Sequence, residues 1–395
     1  MTEEPDERPV WARPEAFPPA GPGWGWVDRK GRRHACGSFE ELAAAIVDDA
    51  GARMDLVWTP ASEFQVLPEE IPSLHESLKQ ARIRWALWEI GEGRRQMLVF
   101  GVMLGLLSLF ALATKQNLLA FSPAGLALLL FLVLGLIPWY QGRKRLERAQ
   151  EWSTTGVLGA LPELRFETWL MRQKAPLTRL LLILIAVVGL FQIFGPLPLF
   201  RPQGGDQLQA AALLKLNGHP QNGWRLATAP FLHGHPIHFL FNAMALAYLG
   251  RRMEVLARWP HVAMVFVLAA WIGGEASARF VSKPSLGASG ALLGMLGFLL
   301  VFESLHRRLV PEDSRRRLLG GLVATAVIGA IGFRFIDNAA HAGGLLAGMA
   351  YALALFPKSA SIHRPRETNP DRVVGLLALA AIVVAAGFTC FRLMG

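Results

Sequence analysis

The stretch that decides the fold is Pro284-Ser-Leu-Gly-Ala-Ser-Gly-Ala-Leu-Leu-Gly-Met-Leu-Gly297. It opens an apolar run, yet Ser289 sits between Gly287 and Gly290. A hydroxyl is costly in lipid and glycine is a poor helix former. Two readings compete: a helix thinned for close packing, or a serine placed to react. The surroundings of the run narrow the choice. It is one of nine apolar segments, near 97–114, 124–140, 178–198, 236–250, 261–274, 287–303, 318–333, 340–356 and 373–391. Each is about the length that crosses a bilayer, roughly 17–25 residues. The chain is 52% hydrophobic, and a soluble protein of 395 residues rarely averages so high. The fold class this predicts is an all-α polytopic membrane protein.

The net charge of +10 raises nucleic acid as a partner, but the placement of the charge argues against it. Segments 141–179, 251–259, 305–317 and 357–372 hold twenty Lys and Arg, whereas the intervening loops and the C-terminal tip hold seven. Positive charge thus alternates loop by loop, as the positive-inside rule requires. The basic loops and the N-terminus are expected on the cytoplasmic side, with the C-terminus outside. No cleavable signal peptide is expected from the acidic, Pro-rich start MTEEPDERPV. Cys36 and Cys390 fall in different compartments of that topology, so no disulfide framework is implied.

The segments divide the chain. Residues 1–23, with six prolines, read as a disordered tail. Residues 24–95 read as a small cytoplasmic α/β domain and a helical lead-in. That domain is expected to be βαβ-like, with strands at Trp24–Val27 and Asp55–Pro60 around a helix capped by Ser38 and Glu41. Its partner is not legible. A transmembrane hairpin over 96–140 turns around Lys115-Gln-Asn117. A basic linker over 141–176 is expected along the membrane surface. Six helices over 177–357 form a core, whose longest outer loop is 199–235. Residues 358–395 supply a loop and a last span.

Polar residues in membrane segments are functional candidates by default. Three clusters stand out: His233-Gly-His-Pro-Ile-His-Phe-Leu-Phe-Asn242, Gly287-Ala-Ser-Gly290 and Asn338-Ala-Ala-His-Ala-Gly-Gly344. Each lies in the first turns of a helix running inward from the outer face, so all three share one depth. His238 and Asn242, at i and i+4, lie on one helical face. Gly290, Gly294 and Gly297 on one helix, and Gly344 with Gly348 on another, favour close approach. That approach would bring Ser289 to His341 as nucleophile and general base. Taken singly, a serine in a helix ordinarily packs or bonds back to its own backbone, and His238 with Asn242 could serve as interhelical glue. The shared depth of all three clusters favours chemistry. A zinc protease would want His-Glu-x-x-His, which is absent; an aspartyl protease would want two intramembrane aspartates, and Asp337 alone lies near a core span. No internal repeat suggests a transporter.

Five blocks in this order resemble the rhomboid family of intramembrane serine proteases: Gly223-Trp-Arg-Leu-Ala-Thr with Phe231-Leu-His233, His238-x-x-x-Asn242, Gly250-Arg-Arg-Met-Glu254, Gly287-Ala-Ser-Gly290 and Ala340-His-Ala-Gly-Gly344. The resemblance spans about 178–356. It implies a rhomboid-like six-helix core with extra spans, Ser289 as nucleophile and His341 as general base. It further implies His238, Asn242 and the Ser289 N–H as oxyanion donors, Gly287, Gly290 and Gly344 as packing positions, and Trp224, Arg225 and Glu254 as structural ones. Asp337 is not expected to act as a triad carboxylate. No metal and no cofactor are implied. The substrates implied are single-span membrane proteins entering from the lipid between the second and fifth core helices, and the setting a bacterial cytoplasmic membrane with the site open to the outer side. Leu293 departs from the pattern, which has an aromatic residue there packing on the histidine. A non-catalytic protein that binds membrane helices is the other reading.

Overall fold

The computed structural model describes residues 7–48, 54–116, 122–195 and 209–394. Residues 1–6 of the expected tail, Asn117 of the expected hairpin turn and 199–208 of the long outer loop lie outside them. The chain forms two compact units, one holding Val10–Trp169 with Ala330–Phe335, the other Leu170–Gly329 and Ile336–Gly395 together with the residues before Val10.

In the first unit, β1 (Trp24–Asp28) is the middle strand of an antiparallel sheet. It is flanked by β2 (Arg33–Cys36) and β3 (Met54–Trp58). Trp26 stands opposite His34 on one side and Val57 on the other. Both neighbours run antiparallel to β1, so the unit is not the simple βαβ expected. A hairpin partner, β2, lies between the first strand and helix α1 (Phe39–Val47). The hairpin turn is fixed by Asp28, whose carboxylate accepts from Lys30 N at 2.9 Å and from Arg32 N and Nε at 2.9 and 2.7 Å. The α1 cap forms from the residues read in the sequence: Glu41 N donates to Ser38 Oγ at 3.3 Å, and Gly37 N to Glu41 Oε2 at 2.6 Å. Leu42 and Ile46 of α1 close a core with Trp26 and Val57.

Residues 10–23, expected as disordered tail, are instead ordered. Trp11 and Phe17 are buried, Trp11 meets Phe166 edge-on, and Gln65 N donates to Pro18 O at 2.9 Å. Two aromatic anchors outweigh a Pro-rich, charged composition, because each removes a large apolar area from water. The basic linker is helical over most of its length. Its first residues continue α3 (Pro123–Gln150), and the rest begins α4 (Thr154–Arg172). Arg165 of α4 clamps Glu70 with two bonds of 2.6 and 2.7 Å.

Helix α2 (His75–Ala113) and α3 are antiparallel: Ile90 meets Gly142, Gly93 meets Trp139 and Met97 meets Gly135. A Cβ on Gly135 would lie 2.6 Å from Met97 Cγ, and one on Gly93 2.7 Å from Trp139 N. Leu98, Leu106, Leu109 and Leu112 stay exposed along α2, a surface suited to lipid.

The second unit contains a core of six helices: α5 (Pro176–Phe194), α6 (Pro236–Ala257), α7 (Trp259–Phe280), α8 (Ser289–Leu305), α9 (Glu312–Ile331) and α10 (Asn338–Leu355). A last helix, α11 (Asn369–Leu393), packs on α7, where Gly375 lies against Pro260. Helix α8 is central; Gly290 to Leu299 are buried without a break. The backbones of α8 and α10 touch, since a Cβ on Gly344 would overlap Gly290 O and one on Gly348 would overlap Gly294 O.

At the far end from Ser289, Arg252 of α6 donates Nε to Glu303 of α8 at 2.7 Å, both side chains fully buried, and Ser314 of α9 donates to the same carboxylate at 2.7 Å. Glu254 of α6 caps α5, accepting from Leu177 N at 3.0 Å, Thr178 N at 2.8 Å and Thr178 Oγ1 at 2.7 Å.

Among the described residues, each of the nine apolar segments falls mainly on a helix. Among the described residues, five of the nine are long and apolar enough to cross a membrane: α2, α3, α5, α7 and α11. The other four are shorter or more polar. Helix α6 carries Arg251, Arg252 and Glu254; α8 has 17 residues; α10 is rich in Gly and Ala. A helix that packs against protein on most sides need not be apolar throughout.

Candidate active site

Ser289 is the first residue of α8 and His341 lies in the first turn of α10. Glycine contacts let the two helices meet, and His341 Nε2 stands 2.8 Å from Ser289 Oγ. The loop into α8 needs glycine: Gly287 has φ +115°, and a Cβ there would lie 2.6 Å from His238 Cε1 and 3.4 Å from Asn242 Nδ2. The same contact shows that His238 and Asn242 face the Gly-Ala-Ser-Gly turn. Asn242 is buried and its Nδ2 has no hydrogen-bond partner. An unpaired buried amide is costly, so a free donor in this position is suited to an acceptor that is absent at rest. At the start of α8, the Ser289 N–H is one of the helix's unpaired donors.

Of the remaining predicted residues, some line this centre and others lie away from it. Gly290 packs on Ala340 of α10 and Gly344 on Gly290. Leu293 is buried one turn below Ser289. Arg225 does not approach the serine. It donates to Ala212 O at 2.8 Å and Gln209 O at 2.7 Å, and so pins the chain between α5 and α6. Trp224 stacks beneath the guanidinia of Arg225, 4.4 Å away, and Arg392 of α11, 5.0 Å away. Glu254, as the α5 cap, is likewise distant from the chemistry. His235 caps α6 through Nδ1, which accepts from Ile237 N at 3.2 Å. Among the described residues no group of three metal-ligating side chains forms.

Two features escaped the sequence. Gln192 of α5 brackets His233, donating to its carbonyl at 3.1 Å and accepting from its N–H at 2.9 Å, and so steers the chain into α6. Lys215, Ser277, Ser285 and Asp337 also meet; the two serines and Asp337 line, with Ser289 and Gly290, a cavity of about 40 Å³. Lys215 and Asp337 are opposite charges in outer loops, but several other basic residues lie there too, so the sequence alone does not pair them.

Residues 220–358 match a family model described as Rhomboid domain. "RHOMBOID-like protein 6, mitochondrial" of Arabidopsis thaliana is 34% identical over 42% of this chain and 58% of its own length. "Rhomboid protease GluP" of Bacillus subtilis (strain 168) is 33% identical over 43% and 32%. "RHOMBOID-like protein 7" of Arabidopsis thaliana is 30% identical over 50% and 68%. The chain belongs to the rhomboid family.

For the first two relatives, the chain matches under two thirds of their length. The rhomboid match takes in Ser289, His341, His238 and Asn242, all within 220–358. It leaves Val10–Trp169 of the first unit, all of α5 and all of α11 outside. Five helices long and apolar enough to cross a membrane, together with the family, make this rhomboid an integral membrane protein. Its relatives include a plant mitochondrial protein as well as a bacterial one, so the bacterial membrane expected above is not supported.

Proposed function

We propose that this rhomboid is an intramembrane serine endopeptidase that cleaves membrane-spanning segments through Ser289 and His341. The observation that carries the reading is the 2.8 Å contact between Ser289 Oγ and His341 Nε2. Within that distance imidazole takes the hydroxyl proton as Oγ attacks a scissile carbonyl. The carbonyl oxygen gains negative charge, and the Ser289 N–H, Asn242 Nδ2 and His238 surround the place where it forms. Each such donor is worth roughly 2.7–4 kcal/mol of barrier in other acyl-transfer enzymes. His341 then returns the proton to the leaving amine. Water attacks the acyl-Ser289 ester by the same route, releasing the second product and restoring the hydroxyl. The charge pattern of the loops supports a site open to the side opposite the N-terminus.

The other reading, a helix-binding protein without turnover, draws on Leu293, which supplies no aromatic face one turn from Ser289. Purified protein incubated with a model transmembrane substrate and with a fluorophosphonate distinguishes the two. Cleavage and covalent labelling are expected, both lost in Ser289→Ala. Cleavage that survives in Ser289→Ala rules out the mechanism, and an unlabelled, inactive wild type favours the binder.

A further inference from the structure

Asp337 does not reach His341 as a triad carboxylate would. Its two oxygens face different helices. Oδ1 accepts from Ala340 N at 2.9 Å, capping α10 one residue before His341. Oδ2 accepts from the hydroxyls of Ser277, near the end of α7, and Ser285, four residues before Ser289. Lys215 completes the group, donating Nζ to Ser277 Oγ at 2.7 Å and Ser285 Oγ at 2.6 Å, with Nζ 3.8 Å from Asp337 Oδ2. Its side chain is 2% exposed. The proton inventory closes: the ammonium donates to both hydroxyls and both hydroxyls donate to the carboxylate. Backbone bonds hold the same place, with Leu213 N donating to Ser285 O at 2.9 Å and Ser285 N to Leu213 O at 3.1 Å.

An ion pair with one charge buried and the other half-buried seldom adds stability beyond what apolar packing would give, because the charges lose much of their water. Its better-attested use is to fix one arrangement among several. Here the carboxylate joins the segment leading into the nucleophile's helix to the first turn of the histidine's helix. Glycine-on-glycine contacts set how near α8 and α10 come, but they have no polar feature to stop one helix sliding along the other. Asp337 supplies it.

We propose that Asp337, held by Lys215, Ser277 and Ser285, is a positioning residue that fixes the register of α10 against the start of α8 and thereby the distance from His341 to Ser289. The kinetic half of this inference rests on the protease reading; the structural half does not.

The test is amide hydrogen exchange over 284–290 and 338–342 in the full-length protein in detergent, alongside cleavage kinetics. Asp337→Ala is expected to raise exchange in both segments. It is also expected to lower kcat about 100-fold with KM little changed, the loss typical of a misplaced reacting group. Asp337→Asn keeps an oxygen for the cap and is expected to restore protection over 338–342 and part of kcat. Exchange over 284–290 that stays at the wild-type level in folded Asp337→Ala overturns the proposal, as does raised exchange with an unchanged kcat. Should Asp337→Ala not fold, the Ser277→Ala/Ser285→Ala double variant leaves the cap in place and is judged by the same two readouts. If the wild type neither cleaves nor labels, the protease reading fails, and the exchange data still decide whether Asp337 links the two helices.

Discussion

Gly93, Gly135 and Gly142 bring α2 and α3 together in one unit, as Gly290 with Gly344 and Gly294 with Gly348 bring α8 and α10 together in the other. The local device is the same, a missing Cβ that lets one helix sink into the next. The neighbours differ. In the hairpin the glycines face Met97, Ile90 and Trp139, so side-chain atoms share the contact. In α8 and α10 backbone meets backbone, and the first turns of both helices carry polar residues. Close packing of membrane helices therefore says little about function by itself. It becomes informative where the close contact ends in groups that can exchange a proton.

The sharpest way to break this comparison is Gly344→Ala. Its methyl group would overlap the Gly290 carbonyl, and no side chain is available to move aside. A shift of α10 that misplaces His341 by even an ångström is expected to cost about 100-fold in kcat/KM. Overpacking should also cost roughly 1–3 kcal/mol of stability. Cleavage at the wild-type rate would mean that the glycine contact does not set the Ser289–His341 distance. Gly135→Ala is the matching change in the hairpin. It is expected to cost a similar 1–3 kcal/mol in thermal unfolding of the first unit. Cleavage per folded molecule should not change, and a loss there would give the hairpin a part in the chemistry.

The smallest expected effect separates the sheet from both helix pairs. Burial raises the pKa of Asp28, but the backbone and side chain of Arg32 and the N–H of Lys30 outweigh it and hold the carboxyl at about 2. The folded pKa is depressed below the ordinary carboxylate value near 3.9. The stabilisation is thus present above pH ~4 and lost as pH falls from there towards ~2. Tryptophan fluorescence of the sheet, followed across that interval, should show unfolding in wild type and a weaker pH dependence in Asp28→Asn. Equal profiles would remove Asp28 from the account.

The sequence made Ser289, His341, His238 and Asn242 legible because polar residues in apolar segments are conspicuous, and because the alternating loop charges put them at one depth. The N-terminal unit was harder. Strand β2, Arg33-His-Ala-Cys36, alternates exposed and half-buried positions, so its composition resembles the turn before it. The anchoring role of Trp11 and Phe17 depends on partners more than forty residues away. Lys215 and Asp337 stand 122 positions apart and read singly as ordinary loop charges; only the fold shows that two serines lie between them. Helix α4 hid within a basic stretch because its buried residues, Phe166, Trp169 and Leu170, are spaced among arginines and glutamates.

The Glu254 cap has a consequence for biogenesis. The first N–H groups of α5 are satisfied by a carboxylate that follows them by 76 and 77 positions. A chain made from its N-terminus exposes the start of α5 long before Glu254 exists. The first core helix therefore waits, its end solvated at the membrane surface, until α6 has been made, and the core closes only when the second helix has arrived.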